Sequence, residues 1–353
     1  MHWYLFPFML LYGLVVKLRN KFFDWGIYTS KSYDIPVISV GNLTVGGTGK
    51  TPHTEFLINW LGSRYRLVSL SRGYKRKTKG FYEVNTRSSV SEAGDEALQI
   101  KQKFPDIRVI VDEKRVHAID KLLSEYVPPE VILLDDAYQH RHVNPGINIL
   151  LMDYHRLITN DWLLPVGRLR EPAHNSHRAS IVVVTKCPHH LTPIDFRILQ
   201  KELNVFPYQS LFFTTFQYGT LLPVFDNQSG NRALTQLNGM QVLTLTGIAN
   251  TDLFFKKLKE HGAELHHASF ADHHDFTVSD IEKIIQKFDA LTGNNKAIVC
   301  TEKDAVRLKT GAYAEPLKHL PVYYLPIEVR FMNNGEANFK AIISKYLRRY
   351  YGN

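Results

Sequence analysis

Residues 41–52 read Gly-Asn-Leu-Thr-Val-Gly-Gly-Thr-Gly-Lys-Thr-Pro, a glycine-rich stretch that ends in a Lys-Thr pair and a proline. The apolar run 35–40 before it has the composition of a buried parallel strand, and residues 54–61 after it have the apolar spacing of a helix. In a unit of this kind, backbone N–H groups and the positive end of the helix dipole face phosphate oxygens. Lys50 supplies a cation for the β- and γ-phosphates, and the Thr51 hydroxyl is placed to hold Mg²⁺. The stretch therefore predicts a nucleoside triphosphate site.

One position departs from the usual G-x-x-x-x-G-K-[ST] pattern, because Thr44 stands where that pattern has its first glycine. The agreement is complete from Gly49 onward, and two further glycines keep the loop small and pliable. The alternative is a glycine-rich turn with a chance Lys-Thr pair, and the flanking strand and helix argue against it. The predicted nucleotide-binding residues are Thr44, Val45, Gly46, Gly47, Thr48, Gly49, Lys50 and Thr51.

The composition is that of an ordinary globular protein, with 44% hydrophobic and 22% charged residues in 353. This length favours two domains. The formal net charge of +9 favours an anionic partner, which could be nucleic acid, acidic lipid or a phosphorylated substrate. Because the basic residues are scattered and no recognised module is present, direct nucleic-acid binding is not expected. Cys187 and Cys300 form no C-x-x-C pair, which is typical of proteins from a reducing cytoplasm.

The first segment of the chain combines apolar and basic residues. Residues 3–16 are strongly apolar, and Lys17, Arg19 and Lys21 follow them. This apolar run is about 14 residues long, whereas a membrane-crossing helix needs roughly 20. The features of a secretory signal are not visible. Two interpretations stay open: a helix that lies in the interface of an anionic leaflet, and a helix that packs on the domain core.

Five further apolar runs complete a parallel sheet of about six strands, at residues 65–70, 107–111, 131–136, 147–153 and 180–186. Ligands of open α/β sheets collect at the carboxyl ends of such strands. Asp135 and Asp136 end one of these runs and form the second nucleotide-binding signature, in which one Asp reaches the Mg²⁺ shell.

Polar side chains elsewhere extend the site. The loop 164–172 carries Arg168 and Arg170, which could clamp phosphate, and Glu171, which could help hold the metal. Pro188 stands where GTPases carry their guanine-reading Asp, so guanine specificity is not expected. The segment 266–274 is rich in histidine, but no closing cysteines accompany it, so a general-base helper is favoured over a zinc site.

The chain divides into four predicted segments. Residues 1–28 form an apolar and basic N-terminal helix, 29–210 the nucleotide-binding domain, 211–236 a two-stranded linker, and 237–353 a C-terminal α/β domain. The linker is predicted from alternating residues in 211–225, and the last domain from a new α/β pattern that begins near residue 241.

Motifs spread along the whole chain, in family order, resemble those of the tetraacyldisaccharide 4′-kinase (lipid A 4′-kinase) family. They are residues 40–52, Ser71-Arg72-Gly73-Tyr74, Gly94-Asp95-Glu96, Asp135-Asp136-Ala137-Tyr138-Gln139-His140, residues 167–172, Asp272-His273 and Thr301-Glu302-Lys303-Asp304. The family also lacks the first loop glycine, as this chain does at Thr44. Ala137-Tyr138 replaces the more usual Gly-Phe, which is a conservative change.

The resemblance implies an enzyme that uses ATP and Mg²⁺ to phosphorylate the 4′-hydroxyl of a tetraacylated glucosamine disaccharide 1-phosphate, giving lipid IVA. It implies a P-loop kinase domain, peripheral binding to the cytoplasmic face of the bacterial inner membrane, and no obligate protein partner. Asp95 and His273 would form a catalytic dyad between the domains, and Lys50 and Arg170 would offset charge on the transferring phosphoryl. The metal shell would contain Thr51, Asp135 or Asp136, and Glu171.

Two other functions remain as alternatives. A P-loop kinase of a small soluble metabolite would act without detergent and would tolerate removal of residues 1–20. A membrane-recruited nucleotide switch or targeting ATPase would use residues 135–141 as a switch loop and would release no phosphorylated product. The lipid-kinase motifs, taken as a set, argue against the switch.

Overall fold

The computed structural model describes residues 3–225, 230–248, 250–272 and 274–352. His273, one half of the predicted dyad, lies outside the described residues. The helices are α1 Phe6–Asp24, α2 Lys50–Leu61, α3 Val90–Ala93, α4 Asp95–Lys103, α5 Arg115–Leu123, α6 Pro193–Leu203, α7 Asp252–Glu260, α8 Val278–Asp289, α9 Glu302–Thr310 and α10 Gly335–Tyr351. The strands are β1 Val37–Asn42, β2 Leu67–Ser71, β3 Tyr82–Val84, β4 Arg108–Val111, β5 Val131–Asp135, β6 Ile147–Asp153, β7 Ile181–Thr185, β8 Ser210–Tyr218, β9 Leu222–Pro223, β10 Gln241–Thr246, β11 Glu264–Ser269, β12 Lys296–Thr301, β13 Val322–Leu325 and β14 Ile327–Phe331.

The larger sheet has the strand order β14-β8-β7-β6-β1-β5-β2-β4-β3. All neighbours pair in parallel except the antiparallel edge strands β14 and β3. The six predicted parallel strands are all present, and β8 adds another. Strand β1 lies between β5 and β6. The connection after β1 leads to β2 on one side, whereas the connection after β5 leads to β6 on the other, so the glycine loop after β1 lies where the strand order reverses. This is the point at which open α/β sheets bind their ligands.

Helices cover both faces of the larger sheet. Successive residues of a strand point to opposite faces, and in the central strands both sets are mostly apolar, so both faces must be buried. Ile38 and Val40 of β1 belong to a core cluster with α2, α4 and α10, whereas Val37 packs with α5 on the opposite face. Helix α6 covers β6 and β7 on that opposite face through Leu199 and Leu203. The predicted P-loop type of α/β fold is confirmed.

The smaller sheet has the order β11-β10-β12-β13-β9, parallel except for the β9 edge. A two-stranded ribbon joins the sheets. One arm of the ribbon is formed by the end of β8 and by β9, which lie in the predicted linker. The other arm is formed by β13 and β14, and Ile327 of β14 pairs with Tyr218 of β8. The partner of the first ribbon strand therefore comes from near the end of the chain.

Residues 327–351 return to the larger sheet. Strand β14 pairs with β8, and α10 buries Phe339, Ile343 and Leu347 in the cluster that contains α2. The predicted C-terminal domain, 237–353, included these residues because position along the chain was the only guide. We group β14 and α10 with the larger sheet, because their apolar residues are buried there.

Helix α1 lies against the loops at the carboxyl edge of the larger sheet. The Tyr12 hydroxyl donates to the Arg170 carbonyl at 2.8 Å, and Arg19 donates to the Gln139 carbonyl at 2.6 Å. Met9, Val16 and Phe23 are buried, whereas much of the rest of its apolar surface is exposed. Within the part of the chain that the structure describes, no helix combines the length and apolar character needed to cross a bilayer.

Candidate active site

The glycine loop is held by residues of three strands of the larger sheet, β1, β7 and β8. Gly49 precedes α2 with a left-handed φ of 85°, and a Cβ there would lie 2.7 Å from the ring of Phe216. The Asn42 amide donates to the Thr48 hydroxyl at 2.8 Å, and the Thr185 hydroxyl donates to the Thr48 carbonyl at 2.8 Å. The loop is thus fixed before any ligand arrives, with the N-terminus of α2 at its end, which suits phosphate binding.

Two cations converge on Asp136, the residue after β5. Lys50 Nζ lies 3.7 Å from Asp136 Oδ2, and Arg170 Nη2 lies 3.0 Å from Oδ1. Arg170 also donates to the Oδ1 atom of Asn42. Burial by itself would raise the pKa of Asp136, but Lys50 and Arg170 outweigh it and lower the pKa below its ordinary value. The structure therefore brings Lys50, Asp136 and Arg170 together beside the glycine loop.

Asp135 lies at the end of β5, fully buried, and its Oδ1 accepts a hydrogen bond from the Thr54 hydroxyl at 3.0 Å. Burial, with the negative charges of Glu96 and Asp136, raises its pKa to about 7. Because Glu96 and Asp136 both oppose the ionisation of Asp135, a cation bound near these three carboxyl groups would be stabilised. The donors are hard oxygens, the kind that Mg²⁺ prefers.

Glu171 is buried in a polar cluster that reaches α1. Its Oε2 accepts from Arg178 at 2.6 Å, from Asn175 at 2.8 Å and from Asn20 of α1 at 3.4 Å. Among the described residues, Oε1 has no hydrogen-bond donor, although Arg19 Nη1 is 3.9 Å away. An orphaned buried carboxylate oxygen is compatible with a metal ion or a metal-bound water.

The residues predicted to hold Mg²⁺ offer hydroxyl and carboxylate oxygens, the kind of ligand that this ion prefers. In the described part of the chain, no three His, Cys, Asp or Glu side chains converge into a metal cluster. Mg²⁺ does not require such a cluster, since it commonly uses one or two carboxylates and completes its shell with water and substrate phosphates. The donor set of Thr51, Asp135, Asp136 and Glu171 stays a prediction.

Asp95 stands at the start of α4, where the larger sheet meets α9 of the smaller one. Its Oδ1 accepts the Glu96 backbone N–H at 2.9 Å, and its Oδ2 accepts a hydrogen bond from Arg307 of α9. Lys303 Nζ is 3.6 Å from the same oxygen. Asp95 thus lies at the junction of the two sheets, where the sequence analysis expected the active site.

Two further cations lie near the site, Arg115 and Lys186, and Arg115 was not among the predicted residues. Arg115 at the start of α5 is buried, and burial lowers its pKa to about 10 while Asp136 and Asp135 oppose that shift. It follows β4, so the rule that ligands collect at strand ends could have found it. Lys186 follows β7, contacts Asp153 Oδ2 at 2.6 Å and donates to the Gly47 carbonyl of the glycine loop.

Comparison with known proteins gives a consistent result. A family model described as tetraacyldisaccharide-1-P 4′-kinase matches residues 1–348. A tetraacyldisaccharide 4′-kinase from Phocaeicola vulgatus is 49% identical over 350 residues, which is 98% of this chain and 95% of the relative. One from Bacteroides fragilis is 49% identical over 351 residues, 98% of this chain and 93% of the relative. The crystal structure of LpxK from Aquifex aeolicus in complex with ATP superposes with a TM-score of 0.73 at 30% identity, covering 97% of this chain and 98% of that one.

Proposed function

The chain belongs to the tetraacyldisaccharide-1-P 4′-kinase family, and from this premise we propose that it phosphorylates the 4′-hydroxyl of a tetraacyldisaccharide 1-phosphate with ATP. The product would be lipid IVA, an intermediate of lipid A biosynthesis. The membership predicted from the motifs is confirmed, and the nucleotide-switch alternative is not favoured, because the match runs over residues 1–348. The observation that carries the proposal is the convergence of Lys50 and Arg170 on Asp136 beside the glycine loop.

ATP is the proposed phosphoryl donor. The Aquifex aeolicus relative has been crystallised with ATP, and residues 44–51 of this chain form a preformed loop at a helix N-terminus. Lys50 and Arg170 are held beside that loop by Asp136, so their charges are in place before ATP binds. Phosphoryl transfer leaves little covalent chemistry to the protein, and fixed cations stabilise the negative charge on the transferring group.

Thr51, Asp135 or Asp136, and Glu171 would hold Mg²⁺, which when bound neutralises charge on the phosphates. The acceptor hydroxyl must lose its proton as its oxygen bonds to phosphorus. We assign this proton to Asp95 and His273 acting as a dyad. A carboxylate with an ordinary pKa of about 3.9 is a weak base, and a hydrogen-bonded histidine can orient it and share the proton.

We further propose that the enzyme works as a peripheral protein on the cytoplasmic face of the inner membrane. Helix α1 supports this, because it presents an exposed apolar surface that includes Phe8, Leu11 and Val15 and carries Lys17 and Lys21. Such a surface suits the headgroup region of an anionic leaflet. An acylated acceptor in the same leaflet would be delivered to the loops that α1 contacts.

The test is transfer of labelled γ-phosphate from ATP to a tetraacyldisaccharide 1-phosphate in mixed micelles. Wild type should label the lipid, and Asp95→Ala and His273→Ala should each lose about 10²-fold or more of the rate while still binding nucleotide. Asp95→Asn keeps the volume of the buried side chain and guards against a folding defect. His319→Ala replaces an exposed histidine of the smaller sheet's region and should leave the rate unchanged.

The other outcomes separate the alternatives. If ATP is hydrolysed but no labelled lipid forms, the protein is better described as a nucleotide switch or targeting ATPase. A metabolite kinase would phosphorylate a soluble sugar without detergent as fast as it phosphorylates the lipid, and removal of residues 1–20 would not change that rate.

A further inference from the structure

An ion pair between the two sheets meets the residue assigned to proton removal. Arg307 lies on α9, which belongs to the smaller sheet, and its Nη2 donates to Asp95 Oδ2 at the start of α4. The side chains of Arg307 and Asp95 are 3% and 4% exposed, so this pair is shielded from solvent. Breaking a buried pair by removing one partner is costly, because the other charge stays buried without compensation.

The other end of the Arg307 guanidinium is fixed within its own unit. Its Nη1 donates to Asp304 Oδ1 at 3.2 Å and to the Gly247 carbonyl at 3.2 Å. Asp304 is itself held, since its Oδ2 accepts from the Gly247 N–H at 3.0 Å and from the Thr301 hydroxyl at 2.6 Å. A Cβ on Gly247 would lie 3.0 Å from Asp304 and 3.3 Å from Arg307, so the backbone is shaped to admit both groups.

The contact depends on how α9 docks. Val306, the residue before Arg307, lies in the core cluster of the larger sheet, whereas Ala305 and Leu308 lie in that of the smaller sheet. Helix α9 therefore packs on both units at once, and its rotation fixes where the guanidinium points. Lys303, one turn earlier on α9, faces Asp95, Glu96 and Asp272 at 3.6, 3.5 and 3.9 Å.

We infer that Arg307 is a positioning residue for phosphoryl transfer: it holds the Asp95 carboxylate ionised and in one orientation when the two units are docked. This inference rests on the proposed role of Asp95 in proton removal. An opposite charge in contact with a carboxylate favours its ionised form. The hydrogen bonds from the Glu96 N–H to Oδ1 and from Arg307 to Oδ2 also fix the orientation of the Asp95 carboxylate. Residues 301–307 thereby contribute to the reaction, although they belong to the unit that does not carry the glycine loop.

The test compares Arg307→Met, Arg307→Lys and Lys309→Met in the lipid phosphorylation assay. Lys309 lies on the same helix and stacks over Tyr324 at 5.8 Å, so its variant is the matched control. Arg307→Met should lower kcat by about 30-fold or more with KM for ATP within about threefold of wild type. Arg307→Lys should recover most of this loss because it keeps the charge, and Lys309→Met should match wild type.

The pH profile separates positioning from structural support. Among the described residues, the charged groups at this contact include Arg307 and Lys303 of α9 and Glu96 of α4, with Asp304 and Asp272 paired to the two cations; His273 is the predicted partner. Removing the Arg307 charge raises the pKa of the Asp95 carboxylate, so the acid limb of the kcat/KM profile for Arg307→Met should move up by about one pH unit or more. Loss of packing alone would reduce the amount of active enzyme and leave the limb where it is.

Arg307→Gln provides a second variant if Arg307→Met fails to fold. It removes the charge but keeps an amide that can donate towards Asp304 or the Gly247 carbonyl, so a shift of the acid limb in the same direction is expected. An unmoved acid limb in folded Arg307→Met or Arg307→Gln, or equal losses in Arg307→Met and Arg307→Lys, would overturn the inference. Absence of lipid phosphorylation by wild type would instead overturn the proposed function.

Discussion

His53 shows how a single residue ties the nucleotide loop to the stability of the molecule. Its Nδ1 lies 2.7 Å from the Gly49 carbonyl and its Nε2 lies 3.0 Å from the Thr214 hydroxyl. Burial lowers its pKa to about 4, although the contact with Gly49 opposes this shift. The folded protein therefore keeps His53 neutral at pH values where an unfolded chain, with a pKa near 6.5, is already protonated.

The consequence is a loss of stability on acidification. The unfolded state binds more protons between pH 6.5 and 4, so the contribution of His53 falls as pH decreases through that window. Between pH 7 and pH 5 we expect this loss to be about 2 kcal/mol in the free energy of unfolding. Urea denaturation at the two pH values should show a loss smaller by about this amount in His53→Gln than in wild type.

The comparison between the two proteins is needed because other groups act in the opposite direction. Burial raises the pKa of Glu55 and of Asp135 to about 7 each, so these carboxyl groups bind protons in the folded state over the same window. Their effect is common to wild type and His53→Gln. Equal losses in both proteins would show that His53 is not neutral in the folded state.

At the scale of elements, α1 yields a prediction about membranes. Phe8, Leu11 and Val15 are 61%, 61% and 58% exposed and recur at helical spacing. Burying an apolar side chain of this size contributes about 1.5 to 3 kcal/mol. Replacing all three with serine should therefore weaken binding to phosphatidylethanolamine/phosphatidylglycerol vesicles at least tenfold, as measured by co-sedimentation.

The matched control for α1 is Val278→Ser, which removes a side chain of similar exposure from α8. It should bind vesicles like wild type. Far-UV circular dichroism and the melting temperature should be unchanged in the α1 variant, because the buried residues of that helix are kept. Unaltered vesicle binding by the α1 variant would remove the basis for placing this face in the lipid headgroups.

Elements differ in how far the sequence predicts them. Buried parallel strands such as β5 are continuous apolar runs, so they and the polar residues at their ends, Asp135 and Asp136, are found directly. The alternation in β8 predicts a strand but not its partner, because period two is the same whether the neighbour is near or distant in sequence. The contact of Arg307 with Asp95 depends on α9 docking onto α4, which no local pattern encodes.

At the scale of the whole molecule, each sheet has its own core, and α9 reaches both through Val306 on one side and Leu308 on the other. Phe339 of α10 lies in a cluster of the larger sheet and Phe288 of α8 in one of the smaller sheet. Two ribbon strands join the units, and ion pairs such as Lys303–Asp95 and Lys103–Glu302 occupy the contact between α4 and α9. An interface made largely of ion pairs, with Val306 as an apolar contact, allows the units to unfold separately.

We therefore expect calorimetry to show two transitions, of which ATP raises only one. Saturation at 100 times the dissociation constant stabilises the unit that binds ATP by about 2.7 kcal/mol. Phe339→Ala should lower the ATP-sensitive transition and Phe288→Ala the other, each by the equivalent of about 3 to 5 kcal/mol. Phe339 follows the smaller sheet in sequence, so this pairing would assign α10 to the nucleotide-binding unit. If Phe339→Ala lowered the ATP-insensitive transition, the C-terminal unit would extend through α10; a single transition lowered by both variants would mean that the α4–α9 contact couples the sheets into one cooperative unit.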